Sequence, residues 1–138
     1  MSAEESLEFL IPSTLPVIDE AVARVTAFAG SRGLGESEAF GFDIAVREAV
    51  ANAVKHGNGL DESKLVEIRA TAAPDRLEIS IRDRGDGFIP EEVPDPTAEG
   101  NLLNASGRGL LFMRTFMDTV DWAAHPDGGT VVTMRKML

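Results

Sequence analysis

The sequence predicts a two-layer α/β sandwich: a mixed but mostly antiparallel sheet with three helices on one face. Three observations predict it. Segments 64–72 and 76–82 alternate apolar and polar residues with period two, the mark of strands buried on one side and wet on the other. Two earlier segments repeat apolar residues at helical spacing. The 138 residues, 43% hydrophobic and 26% charged, suit a single globular domain over 1–138.

The elements follow in order. Residues 7–11 are short and apolar and read as an edge strand. Ser13 or Thr14 then offers a helix N-cap, with Pro16 in the first turn. Ile18, Val22, Val25 and Ala29 follow at helical spacing, and Gly30 and Gly33 end that helix. A second helix is expected over 37–56, with Gly57 as its stop. At about 100° per residue, Phe42, Ala45, Val46, Ala49 and Ala53 share one face and Arg47, Ala51 and Lys55 the other. Phe40 and Ile44 lie off the alanine strip, free to contact something else.

In 64–72, Val66, Ile68 and Ala70 alternate with Glu67, Arg69 and Thr71. In 76–82, Leu77, Ile79 and Ile81 alternate with Glu78, Ser80 and Arg82, and 73–75 reads as a hairpin turn. From 88 to 106, Pro90, Pro94 and Pro96 among acidic residues break both periods, leaving a long loop of a length that is usually functional or mobile. A third helix opens at 107–109 and carries Leu110, Leu111, Met113 and Phe116. Strands 119–124 and 130–137 flank the turn 125–129; His125 is a turn residue and Trp122 faces the core.

Charge and composition narrow the chemistry. The net charge is −10, which argues against direct nucleic-acid binding, since phosphate backbones call for a basic patch. A small phosphorylated ligand stays possible, because magnesium and backbone N–H groups supply local positive charge. With no cysteine there is no disulfide, thiolate zinc site or cysteine nucleophile, and two histidines outside any HExxH pattern make no zinc site. The N-terminal segment is acidic, unlike a signal peptide, and no apolar run approaches the ~20 residues of a membrane span. The expected location is the cytoplasm, with no membrane partner.

Three blocks carry chemistry. In EAVANAVKHGN (48–58), Glu48, Asn52 and His56 are spaced by four and form one row at the edge of the apolar face. A carboxylate there can accept a proton, and an amide oxygen one turn on can bind magnesium, which keeps several waters and takes few protein ligands. Taken alone, the block also reads as a surface glutamate and a helix-end asparagine, with His56 structural. In DRGDG (83–87), Asp83 at a strand end can accept a hydrogen bond from an exocyclic amine, and Gly85 and Gly87 let a flat ligand lie against the chain. The plain alternative is a tight acidic turn. In SGRGL (106–110), glycines at a helix start expose N–H groups to a phosphate, and Arg108 adds charge or faces solvent.

The ordered set, E-x-x-x-N on a helix, D-x-G-x-G after a strand, a Pro-rich loop and G-x-G-L on a helix, resembles the Bergerat ATP-binding fold shared by gyrase, Hsp90, MutL and histidine kinases. Walker A and the glycine loop of eukaryotic-type kinases are absent. Within that superfamily LEF near the start, ARVTAFA, REAVANAVKHGN, IRDRGDGF and SGRGLLFMRTFMD resemble the bacterial anti-sigma factor serine/threonine-protein kinases. The resemblance implies an ATP- and Mg2+-dependent kinase that phosphorylates a STAS-domain anti-anti-sigma factor and sequesters a sigma factor. It also implies that Glu48 is the general base, Asn52 the magnesium ligand and Asp83 the adenine contact, with Gly85 and Gly87 shaping that pocket. Gly107, Arg108 and Gly109 would meet the phosphates, Thr130 would close the adenine side, and 88–106 would be the ATP lid. Arg24 would dock protein partners, and a homodimer is expected. Two other readings stand beside this one: a stress-complex switch kinase that activates a phosphatase, and a nucleotide-gated binding module with little turnover.

Overall fold

The computed structural model describes residues 5–30, 32–85 and 105–138, with side chains in the last segment from Leu111 onward. Strands β1 (Glu5–Pro12), β2 (Leu65–Ala73), β3 (Arg76–Arg82), β4 (Thr119–Ala124) and β5 (Thr130–Met137) form one sheet in the order β1-β2-β3-β5-β4. Helices α1 (Pro16–Gly30), α2 (Glu36–Asn52) and α3 (Ala105–Phe116) complete the sandwich. All four strand pairings are antiparallel, so the sheet expected to be mixed is wholly antiparallel among the described residues. The expected lid falls outside those residues as far as 104; 105 and 106 already belong to α3.

Period two does what it predicts. Val66, Ile68 and Ala70 of β2, Leu77, Ile79 and Ile81 of β3, and Val132 and Met134 of β5 are buried in one cluster with Val22 and Val25 of α1 and Phe42, Ala45, Val46 and Ala49 of α2. Leu7, Phe9 and Trp122 pack against its margin. The opposite face of the sheet is polar, and its register sets unlike charges opposite each other: Glu8 with Arg69, Glu67 with Arg82, Glu78 with Arg135. Arg82 reaches Glu67 at 3.0 Å and Arg135 reaches Glu78 at 2.7 Å, cross-strand pairs that favour this register over a slipped one.

Pro16 opens α1, where its missing N–H would have had no helical partner anyway. Ser13 is not the cap of this helix. Its buried hydroxyl donates to the Lys64 carbonyl at 2.5 Å and accepts from the Asn58 side-chain amide at 2.8 Å, tying the end of β1 to the turn before β2. Helix α2 starts after Gly35 with Glu36 and Glu38 in its first turn, where carboxylates suit the positive end of the dipole. It does not run unbroken to His56. The α-helix ends at Asn52, and Ala53–Gly57 widen into a single π-helical turn in which the Asn58 N–H bonds back to the Ala53 carbonyl at 2.9 Å. Such turns commonly sit at functional sites. Where α2 meets α3, a Cβ on Gly41 would lie 2.5 Å from the Phe116 ring, so the helices are in direct contact there.

Candidate nucleotide and catalytic site

Asp83 follows β3 and is buried, only 4% exposed. Its backbone N–H donates to the Thr130 carbonyl at 3.0 Å. Its Oδ1 accepts from the Thr130 N–H at 3.1 Å and the Gly85 N–H at 2.9 Å. Two backbone donors thus fix the carboxylate, and among the described residues Oδ2 accepts no hydrogen bond. Three glycines make room for this arrangement. A Cβ on Gly57 would lie 2.2 Å from Oδ2, one on Gly85 would lie 1.7 Å from the Gly57 carbonyl oxygen, and one on Gly129 would lie 2.0 Å from the Asp83 carbonyl oxygen. Gly129 also has φ +84°, in the left-handed region.

The π turn delivers Gly57 to this place, and Asn58 locks it there. Asn58 is 3% exposed. Its Nδ2 donates to Ser13 Oγ at 2.8 Å and to the Lys64 and Leu65 carbonyls at 3.1 and 3.2 Å. Its Oδ1 accepts from the Arg84 N–H at 2.6 Å. One amide therefore satisfies backbone groups of two segments and sets where the chain leaves Asp83. Neither Asn58 nor Gly57 stands out in the sequence beyond the motif that contains them. An asparagine after a helix-ending glycine was the only available signal.

Asn52, Asp83 and Thr130 converge on one cleft, walled by Ile81, Met113 and Trp122. The open space in it is about 20 Å3, room for about one water. A purine requires the walls to part. Glu48 lies one helical turn before Asn52 but opens into a different space, a groove between the start of α1, α2 and α3. It is half-buried. Burial raises its proton affinity above the ordinary glutamate value, and the charges of Lys55 and Arg47 pull in the opposite direction. His56, third in the row, is held below its ordinary value by desolvation and then by Lys55, which keeps it neutral near pH 7. No cluster of three or more potential metal-ligating His, Asp or Glu side chains occurs among the described residues, so a divalent ion here would rely on an amide such as Asn52 and on ligand oxygens.

The remaining expected residues are placed as follows. Gly107, Arg108 and Gly109 are in the first five positions of α3, which begins at Ala105. By helix geometry the N–H groups without a helical partner are those of its first four residues, 105–108. Gly87 lies outside the described residues. Arg24 is on α1, away from the cleft, with its guanidinium 3.9 Å from the centre of the Phe9 ring. It is a stacked cation rather than a loose surface charge. A larger groove, about 530 Å3, lies on the helix-free face of the sheet and contains none of Glu48, Asn52, Asp83 and Thr130. Among the described residues no helix is long and apolar enough to cross a membrane.

Comparison with known proteins identifies the family. The family model of the histidine kinase-like ATPase domain matches residues 11–136. An anti-sigma F factor of Clostridium perfringens is 36% identical over 142 residues, covering 100% of this chain and 99% of the relative. The serine-protein kinase RsbW of Bacillus subtilis is 31% identical over 138 residues, covering 96% of this chain and 85% of the relative. Among solved structures, the RsbU and RsbW domains of a Mycobacterium tuberculosis protein superpose with a TM-score of 0.68 at 20% identity, over 96% of this chain and 32% of that one, which bears on the fold alone. A five-stranded antiparallel sheet under three helices, an aspartate held by backbone donors in a glycine cradle, and these similarities together show that the chain belongs to the histidine kinase-like ATPase domain family, alongside the anti-sigma F factors and RsbW serine-protein kinases.

Proposed function

We propose that the protein is an ATP-dependent serine/threonine protein kinase acting as an anti-sigma factor, which phosphorylates a STAS-domain anti-anti-sigma factor and sequesters a sigma factor. The observation that carries the kinase reading is the position of Glu48. It is a half-buried carboxylate of raised proton affinity, one turn from Asn52 and hence from the cleft that holds Asp83. A nucleotide-gated module without turnover gives no reason for a carboxylate so placed.

The residues fit the ligand set. Asp83 Oδ2, free of partners among the described residues, suits the exocyclic amine of adenine, and the cradle of Gly57, Gly85 and Gly129 lets the backbone approach closely. The Asn52 amide oxygen suits magnesium, and the N–H groups opening α3, with Arg108, suit phosphates. Magnesium bound there would neutralise charge on the phosphate oxygens. The chain's own part is proton transfer and placement. As the acceptor hydroxyl oxygen bonds to the γ-phosphorus and the bond to the β–γ bridging oxygen breaks, the hydroxyl proton passes to Glu48, and ADP leaves.

Single-turnover transfer from labelled ATP to the STAS partner tests this, alongside ATP binding by calorimetry. Glu48→Gln keeps the shape of the side chain but cannot take the proton, so transfer should fall at least about a hundredfold while ATP affinity holds. Transfer near the wild-type rate removes Glu48 from the base role.

A further inference from the structure

The cleft that holds Asn52 and the groove that holds Glu48 are different spaces, on two sides of the same helical row. If the nucleotide takes the cleft, the hydroxyl that reaches Glu48 must come from the groove. That groove has a volume of about 460 Å3, on the scale of a ligand site. Its walls are Leu15 just before α1, Ile18 in the first turn of α1, Ala51 of α2, and Phe112 of α3. Leu15 is 52% and Phe112 38% exposed, so two large apolar side chains flank the carboxylate without being used by the core.

The charges in the groove are not equivalent. Arg47 is paired with Asp19, and with Asp43 at 3.6 Å, so its charge is already answered. Lys55, about two turns past Glu48 and close enough to influence its titration, makes no ion pair among the described residues. The groove therefore combines an apolar side, a proton acceptor and one cation that no carboxylate contacts directly among the described residues.

We propose that this groove is the acceptor site, and that it selects a serine or threonine flanked on one side by a large apolar side chain seated against Leu15 and Phe112 and on the other by an acidic side chain facing Lys55. The assignment rests on the kinase reading above. A hydrophobic pocket discriminates through burial of the neighbouring side chain, and the lysine adds a charge requirement that rejects basic flanks.

The experiment uses the full chain, Mg-ATP and each STAS-domain protein encoded in the source genome as probe acceptors. The phosphorylated site is mapped by mass spectrometry, and KM and kcat are measured for the acceptor found. Leu15→Ser and Phe112→Ser should each lower kcat/KM by about tenfold or more, chiefly through KM. ATP affinity should be retained in both; Leu15→Ser should also keep the melting temperature, whereas Phe112→Ser loses stacking on Phe116 and should melt somewhat lower. Lys55→Glu should raise KM as well, and changing the acidic flank of the acceptor to lysine should restore it. A mapped site without an apolar and an acidic neighbour overturns the assignment. So do variants that keep the acceptor KM, or that lose kcat alone. If wild-type protein phosphorylates none of the probes, the kinase reading itself falls and the groove assignment with it; phosphorylation with unaltered KM in the variants sinks only the groove.

Discussion

At Glu48 burial raises the proton affinity of the carboxylate while Lys55 and Arg47 lower it, and burial is the larger effect. A base must be unprotonated to act, so the acidic limb of the transfer rate should lie above the ordinary glutamate value of 4.5. Lys55→Met removes an opposing charge and should move that limb to still higher pH, which a pH profile of kcat at saturating acceptor will show. Stability has the matching sign. Between the ordinary value and the raised one, the folded protein binds more protons than the unfolded chain, so stability falls as pH rises through that interval. The second residue-scale prediction concerns Gly57. A methyl group there would lie 2.2 Å from Asp83 Oδ2 and 2.3 Å from its Cγ, while the carboxylate is held from the other side by two backbone N–H groups. Gly57→Ala should displace the carboxylate and weaken ATP binding by about tenfold or more, read by calorimetry, with the sheet intact by circular dichroism.

The turn from the π segment into β2 is where side-chain hydrogen bonding concentrates. Asn58→Ala removes both ends of an amide that serves Ser13, Lys64, Leu65 and Arg84, leaving buried groups unpaired. It should cost about 3 kcal/mol in urea unfolding, well above a typical surface change. The elements themselves were legible in the sequence. Strands β3, β4 and β5 fall on their expected bounds because alternation of Leu77, Ile79 and Ile81 with polar residues has one structural solution. The buried face of α2 likewise follows from its alanine spacing. What was not legible depends on segments far apart in the chain. Ser13 reads locally as a cap, yet its partners are 45 and 51 residues away. The π turn has no period of its own in five residues, and Gly57 reads as a helix stop until Gly85 is seen against it. The row of Glu48 and Asn52 was visible as a row, but only the arrangement of α1 and α3 around it divides the row between two spaces.

Over the whole molecule, the proposed nucleotide cleft and the Arg24 surface lie apart. Arg24 stacks on Phe9 and borders a separate groove with Leu10, Val17 and Glu20, none of which enters the cleft. Arg24→Ala should therefore weaken binding to a sigma factor or STAS protein with no change in ATP affinity. Parallel calorimetric titrations check this, and unaltered partner affinities remove Arg24 from the docking role. Asp83 has a different kind of reach. Its acceptors and donors come from the segment just after it and from Thr130, 47 residues later, while the space for its carboxylate depends on a helix end 26 residues earlier. A growing chain on the ribosome therefore carries Glu48, Asn52 and Asp83 before it carries the Thr130 amide that fixes the Asp83 carboxylate. Only when β5 has emerged and slotted between β3 and β4 does the carboxylate gain the amide of Thr130. Under the proposed assignment of Asp83 to adenine, a chain truncated before β5 should therefore fail to bind ATP, which calorimetry on such a truncation will show.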